Sequence, residues 1–338
     1  MSIPPPPRLV DVAKRAGVHV STASRVLSGS VAANVREDTR RRIHTAAAEL
    51  RYRPNALARG LKTSTTTTLG LLVRSLSNPV MADMARAAAA RAWELGYIVV
   101  IAEDDGVITE RAWERLVSEG RIDGMLVASA SIGGPILDFV DQASLPHVFV
   151  DHVHPGSGRN VAMREADAGR MAAEHLIALG HHHLGQITGP PAFDSDRRRA
   201  EAFREAVVAA GRPAPLRWVA DYTEASASEA ATAIFSAKHR PTAVFVSALS
   251  HAIGFIATAQ RAGVRVPEDL SVIAYDDDPL LDYISVPTTS IRMPMAELGR
   301  IATDALVAQI NGGAPADIEI PTLPIIVPRS STAAPTGG

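Results

Sequence analysis

From Leu69 onward the chain alternates short apolar runs with stretches of helical periodicity, and it does so twice. The first series has apolar runs at Leu69 to Val73, Ile98 to Ala102, Gly124 to Ala128 and Val148 to Asp151, with helical patterns near Met81 to Leu95 and Glu110 to Glu119. The second has helices at Ala168 to Leu179, Arg198 to Ala210 and Ala252 to Ala262, with strands at Leu184 to Thr188, Val244 to Val246 and Ser271 to Tyr275. Parallel strands need a crossover that carries the chain back to its starting edge, and a helix is the compact way to make one. Two such series predict two similar α/β lobes, and a chain of 338 residues has room for them and for a further small unit.

Ligands of open α/β sheets gather beyond the carboxyl ends of the strands. Those ends mark out one candidate pocket: Ser75 to Asn78, Ser129, Asp151, Thr188 to Arg199, Tyr222, Ser247 to Ser250 and Asp276. Arg199 can clamp a carboxylate, a phosphate or a pair of hydroxyls, and Asp276 can accept hydrogen bonds from sugar hydroxyls or a base nitrogen.

Charge separates this body from what precedes it. Residues 1–62 hold twelve Lys or Arg against four Asp or Glu, a formal +8, whereas the remainder carries −10. Behind a stiff proline leader at 1–7, apolar residues at Leu9, Val12, Ala13 and Ala16 keep helical spacing. Gly17-Val18 interrupts the pattern, which Ala23, Val26 and Leu27 resume. A third helix is expected from about Glu37 to Leu50, with Ile43, Ala47 and Leu50 inward and Arg40, Arg41 and Arg42 outward. Three short basic helices on a small core describe a helix-turn-helix DNA reader over 8–53, with a basic hairpin for protein contacts as the alternative. Its second helix would enter the major groove with Val20, Ser21 and Arg25: Arg25 suits guanine O6 and N7, Ser21 several base edges, and Val20 a thymine methyl. His19, Thr22 and Ser24 are placed for phosphates.

Several function classes fall away. With no cysteine there are no disulfides, no thiolate metal sites and no Cys nucleophile, which fits a reducing cytoplasm. The amino terminus lacks a signal-peptide pattern, and no run approaches a membrane span. His181-His182-His183 lacks companion ligands at metal-site spacing and is expected to be a solvated loop. Asp276-Asp277-Asp278 lacks a phosphate-cradling loop, Gly189-Pro190-Pro191 is no P-loop, and there is no G-x-S-x-G elbow. No catalytic residue, metal or cofactor is expected. Arg197 and Arg198 are expected to form a solvated helix start, and residues 333–338 a frayed tail.

Between reader and body lies Arg53-Pro54-Asn55-Ala56-Leu57-Ala58-Arg59-Gly60-Leu61-Lys62, followed by a Thr/Ser run. Asn55 suits a helix N-cap, but so short a helix containing Gly60 is marginal alone and would form only when something holds it. Taken with Asp11-Val12-Ala13, Ala16-Gly17-Val18, Ser24-Arg25-Val26-Leu27 and Thr39-Arg40, the pattern Tyr52-x-Pro54-Asn55-x-x-Ala58-Arg59-x-Leu61 resembles the lactose-repressor (LacI/GalR-type) family of transcription regulators, and the likeness runs through almost the whole chain.

That resemblance implies a dimeric, sequence-specific regulator, a repressor, in which residues 54–68 are a hinge helix and linker. Asn55, Ala58, Arg59 and Leu61 would lie in the minor groove of a palindromic operator, with Leu61 wedged between base pairs and Ala58 kept small where two hinges pack. Residues 69–332 would be a two-lobed, periplasmic-binding-protein-like core, with one lobe over 69–163 and 290–318 and the other over 164–289 and 319–332. The resemblance places Asn78, Asp151, Arg199, Tyr222 and Asp276 around a small-molecule effector, Tyr222 standing where the purine repressor has an aromatic.

Departures narrow the expectation. His19 stands where a small capping hydroxyl is common, and Arg36 where a capping Ser is common, so both caps are in question. Val80-Met81 replaces an aromatic pair, and Ala248-Leu249 replaces an Asn-Asp pair of sugar-binding members, which argues against an ordinary hexose. The alternatives are a regulator or architectural protein with a vestigial cleft and, more remotely, an enzyme with a DNA-binding appendage.

Overall fold

A computed structural model of the chain describes residues 7–27, 35–52, 65–104, 107–128, 142 and 144–336. The chain divides into two compact units at Thr66/Thr67. Most of the proline leader, the hinge residues Asn55, Ala58, Arg59 and Leu61, and the pocket candidate Ser129 lie outside the described residues.

In the first unit, α1 (Leu9–Ala16), α2 (Val20–Leu27) and α3 (Glu37–Glu49) enclose a core of Val12, Ala13, Ala16, Ala23, Val26, Ile43, Ala46 and Ala47. Asp11 opens α1 by accepting the backbone N–H of Arg8 at 2.8 Å. Gly17 closes it at φ +64°, in the left-handed region that a residue with a Cβ avoids. The expected helix, turn and helix therefore stand where the spacing put them.

The second unit holds two six-stranded sheets. The first comprises β1 (Thr68–Val73), β2 (Ile98–Glu103), β3 (Gly124–Ala128), β4 (His147–Val150), β5 (Asn160–Ala162) and β11 (Ile318–Glu319), in the order β11-β5-β4-β3-β1-β2, parallel throughout. The second comprises β6 (Leu184–Thr188), β7 (Leu216–Val219), β8 (Ala243–Val246), β9 (Ser271–Tyr275), β10 (Ser290–Arg292) and β12 (Ile325–Val327). Their order is β12-β10-β9-β8-β6-β7, and only β12 is antiparallel. Helices α4 (Pro79–Glu94), α5 (Val107–Ser118), α6 (Glu165–Ala178), α7 (Asp194–Ala209), α8 (Glu224–Phe235), α9 (Leu249–Ala262) and α10 (Met295–Ile310) complete the crossovers. The pairs α4·α10, α6·α7 and α8·α9 pack most extensively. The central strands β1, β3, β4, β6, β8 and β9 are buried along almost their whole length, and most of their residues are apolar, because both faces of their sheets are covered.

Position for position, β4 in the first sheet corresponds to β9 in the second, each one strand in from the short strand that precedes a lobe crossing. The lobe boundaries differ from those expected. Ser290 and Ile291 pair with Ala274 and Tyr275, so 290–292 belongs to the second lobe and the chain crosses only afterwards. Glu319 pairs with Ala162 and stays in the first. The helices α8 and α10 and the strands β5, β7, β10, β11 and β12 were not anticipated: α8 is mostly Ala and Ser, α10 lies beyond the second series, and four of the five strands are two or three residues long.

The tail expected to fray is tied down through Thr336. Ala333 exchanges hydrogen bonds with Ser271 Oγ, and Thr336 Oγ1 donates to the Glu268 carbonyl. His181, expected in solvent, is buried: Nδ1 meets Thr242 Oγ1 and Nε2 meets the Ala333 carbonyl, each at 2.9 Å.

Gly169 of α6 lets α7 approach so closely that an added Cβ would sit 2.1 Å from the Arg199 carbonyl oxygen. Gly169→Val is therefore expected to cost about 1–3 kcal/mol of stability by overpacking, measured as a lower urea midpoint with an unchanged slope.

Candidate functional site

Two surfaces carry the chemistry, one in each unit. In the first, α2 turns Ala23 and Val26 into the core and leaves Val20, Ser21 and Arg25 exposed, with Thr22 and Ser24 half-buried beside them. The Arg25 Nε–H donates to the Ser21 carbonyl at 3.3 Å, which lays the stem along its own helix. His19 supplies the cap that was in question: its Nδ1 accepts the backbone N–H of Ser21 at 3.3 Å and lies 2.8 Å from Ser21 Oγ. An imidazole nitrogen thus does what a hydroxyl oxygen usually does. Arg36 provides no side-chain cap to α3; Glu37 and Asp38 in the first turn offset the helix dipole instead.

In the second unit a cavity of about 460 Å³ opens beyond the carboxyl ends of the strands of both sheets. Arg74 follows β1, Asp151 follows β4, Tyr222 lies three residues beyond β7, and Ser247 and Asp276 follow β8 and β9. Asn78, Asp151, Arg199, Tyr222 and Asp276, which the resemblance grouped together, all line it. Asp151 and Asp276 occupy corresponding positions in the two lobes, and both are left-handed, at φ +71° and +72°. Aspartate tolerates that region better than most residues, and strained backbone at two matched strand ends aims both carboxylates at one space.

The base of the cavity is an ion cluster that the sequence did not disclose. Arg199, 3% exposed, bonds Glu165 through Nη1, and Asp196 and the Ser247 carbonyl through Nη2 at 3.0 and 3.2 Å. Its guanidinium carbon lies 3.4 Å from the centroid of the Tyr275 ring, and the Tyr275 hydroxyl donates to the other oxygen of Glu165 at 2.7 Å. Asp196 in turn accepts the Gly189 N–H. Arg199 was expected as a clamp for an anionic or hydroxylated ligand. The structure commits its charge to two buried carboxylates, and only Nε is left without a partner.

Tyr222 was expected to offer a stacking face. Its ring is already met by the Arg74 guanidinium at 4.2 Å and by the parallel ring of His251 at 5.7 Å. Arg74 lies 4.2 Å from the Phe193 ring as well. Asn78 caps α4 by accepting the Val80 N–H at 3.0 Å and also hydrogen-bonds Asp276. Arg198 is no solvated helix start: it reaches Asp194 and the carbonyls of Met163 and Asp151. In the aspartate run, Asp277 pairs with Arg292 and Arg329, and Asp278 caps a short 3-10 turn. No group of His, Asp and Glu able to hold a metal occurs among the described residues.

Burial dominates the proton chemistry. It pushes Glu165 up to about 7, against the pull of Arg199 and with the push of Asp151. It lifts Asp276 to about 6, with Arg199 and Arg74 pulling down and Asp151 pushing up. It also holds His152 near 4, neutral, with Nδ1 3.3 Å from Ser195 Oγ. Arg74, Glu165, His251 and Tyr275 all escaped the sequence reading. Arg74 alone could have been found there, as the residue directly after β1; Glu165 and His251 come from the first turns of helices and Tyr275 from a strand.

Residues 8–55 match the family of bacterial regulatory proteins, lacI family, and residues 173–332 match the periplasmic binding protein-like domain. The chain is 34% identical over 306 residues to the HTH-type transcriptional repressor PurR of Photobacterium profundum, covering 89% of this chain and 91% of that one. The lac repressor dimer bound to operator and the anti-inducer ONPF superposes with a TM-score of 0.85 at 27% identity, covering 98% of this chain and all of that one. The transcriptional regulator CelR in complex with cellobiose gives 0.74 at 28% identity, covering 96% and 99%.

A carboxyl whose affinity for protons is raised by folding makes the folded state bind more protons than the unfolded one, so stability falls as pH rises from the ordinary carboxylate value to the raised one. Asp276→Asn removes that loss. Wild type is expected to lose up to about 3 kcal/mol relative to the variant between about pH 4 and about pH 6, measured by urea unfolding of both proteins across that range.

Proposed function

Because the chain belongs to the lacI family of bacterial regulatory proteins, we propose that it is a sequence-specific transcription repressor whose grip on DNA is modulated by a small molecule bound between the two lobes. The observation that carries this reading is α2, which projects Val20, Ser21 and Arg25 outward from a closed three-helix core. A helix held from behind by Ala23 and Val26 can enter a major groove without deforming. Arg25 then reads guanine bidentately, Ser21 and Val20 read neighbouring edges, and His19, Thr22 and Ser24 meet phosphates. The sequence from Asn55 to Leu61, with Ala58 and Arg59 between, would fold as a hinge in the minor groove when two copies meet on a palindromic site, with Leu61 as the wedge.

A homodimer is supported by the exposed apolar side chains on the outermost strands, Ile98, Val100 and Ile101 on β2 and Leu216 and Val219 on β7. Among the described residues no helix is long and apolar enough to cross a membrane. A regulator that reads DNA in a reducing compartment fits a cytoplasmic site.

An open cavity lined by buried polar atoms without partners favours an effector over a vestigial cleft. Asp151 Oδ1, Ser247 Oγ and Arg199 Nε are such atoms, and a protein spends stability to keep them. The cleft spans both lobes, so its occupant biases their relative position, and whatever it does to operator affinity the operator must do to its own binding. The polar residues proposed to face it are Asn78, Asp151, Arg199 and Asp276, beside Tyr222. The Asn-Asp pair of sugar-binding members is absent, since Ala248 and Leu249 offer no amide or carboxylate.

Selection of bound sites from genomic DNA tests the reading directly: one palindromic consensus is expected, and binding without sequence preference at physiological salt overturns it. Arg25→Ala should weaken consensus binding by about 1–3 kcal/mol and relax preference at one base pair per half-site; a uniform loss over all sequences would reassign Arg25 to a phosphate. Leu61→Ala should reduce DNA bending together with affinity, read by circular-permutation gel shift, and an unchanged bend would place the wedge elsewhere.

A further inference from the structure

The cavity has an excess of negative charge that its own cations do not balance. Asp151, Glu165, Asp196 and Asp276 meet Arg74 and Arg199 there, the nearby Arg198 that also faces Glu165 is paired with Asp194, and Glu224 adds a further, exposed carboxylate to the lining. Arg199 is consumed by Glu165 and Asp196. Arg74 leans on the rings of Phe193 and Tyr222. Two carboxylates therefore remain for a ligand, one from each lobe, at the matched left-handed positions 151 and 276. Asp151 is 5% exposed, lines the cavity, and its Oδ1 has no hydrogen-bond partner. A buried acceptor in that state costs stability until a donor fills it.

We propose that the effector is a cation, an amidinium, guanidinium or ammonium group on an apolar body, held between Asp151 and Asp276. This rests on the cleft being the effector site and adds the class of molecule it takes. A planar amidinium presents two parallel N–H donors and suits a carboxylate bidentately, while its charge offsets the surplus. The apolar body meets Met81, Leu249, Ile253 and Met295, which line the same cavity. An anion would meet the surplus as repulsion, and a neutral polyol would leave it standing.

The protonation behaviour of the site agrees. Burial makes Glu165 and Asp276 hold protons more tightly than free carboxylates. Asp276 faces Arg199, Asp151, Arg74 and Asn78; Glu165 faces Arg199, Asp151, Arg198 and Tyr275; neutral His152 lies beside Asp151 and Asp194. A bound cation displaces those protons, so its affinity rises with pH as Asp276 ionises.

Benzamidinium, benzamide and benzoate share one planar shape and differ in charge. The full-length chain is titrated with each, and thermal unfolding and binding heat are followed. Benzamidinium is expected to stabilise most and benzoate least, with benzamidinium affinity falling about tenfold in Asp276→Asn and in Asp151→Asn. Asparagine also tolerates a left-handed backbone, so these variants keep the fold, and the ranking of the three probes should compress in them. Benzamidinium binding should weaken from about pH 7 to about pH 5 and release protons near pH 6, read by calorimetry in buffers of different ionisation enthalpy. Benzoate or benzamide binding as well as benzamidinium, no stabilisation by any of the three, or an unchanged ranking in both variants overturns the proposal. Operator binding measured in the same preparations separates the two readings: if it persists, the regulator stands without a cationic effector, and if wild type lacks it, the regulator reading itself has failed.

Discussion

The body of the molecule depends on the buried contact between Arg199 and Glu165. Glu165 is the first residue of α6, where the chain has just left the first sheet, and Arg199 lies inside α7 against the second. Their ion pair, extended by Asp196, Tyr275 and the Ser247 carbonyl, fastens the crossing point to the strand ends of the second lobe. Removing one member of such a cluster strands charge in a medium that cannot solvate it, whereas in the complete set each of these charges faces an opposite one. Gly169 permits the close helix approach that brings the two residues together.

That pairing has a chemical consequence. An arginine already bonded to two carboxylates has little left for an anionic ligand, and the burial that holds the cluster also raises the proton affinity of Glu165 and Asp276. Structural need and ligand preference are therefore coupled in one set of side chains. The cation on Phe193 and Tyr222, Arg74, comes from the first lobe while both rings belong to the second, so the cleft has a contact across it. A ligand that changes the spacing of the lobes must act on that contact.

Legibility differed between elements for identifiable reasons. The three reader helices were legible because a mini-core forces apolar residues to helical spacing and a left-handed turn calls for Gly17. The central strands were legible as apolar runs because both faces of the sheets are covered. The strands β5, β10, β11 and β12 were not, since two or three residues cannot show a period, and the Ala/Ser helix α8 has little contrast between its faces. Pairing between residues far apart in the chain, such as Ser290 with Ala274, is what moved the lobe boundary past Arg292. His181 looked like part of a solvated histidine run because local composition says nothing of a tail that returns 152 residues later to cover it.

The amino-acid sequence by itself determined the class of protein: a basic helix-turn-helix reader and a two-lobed α/β body whose strand ends include Asp151, Tyr222 and Asp276. Periodicity, charge and turn chemistry are local properties, and they survive in one dimension. Only the tertiary structure decided what those residues are free to do. It paired Arg199 with Glu165 and Asp196, covered Tyr222 with Arg74 and His251, and left Asp151 Oδ1 unpartnered. Whether a side chain is available depends on neighbours tens or hundreds of positions away, and packing alone brings them within hydrogen-bonding range.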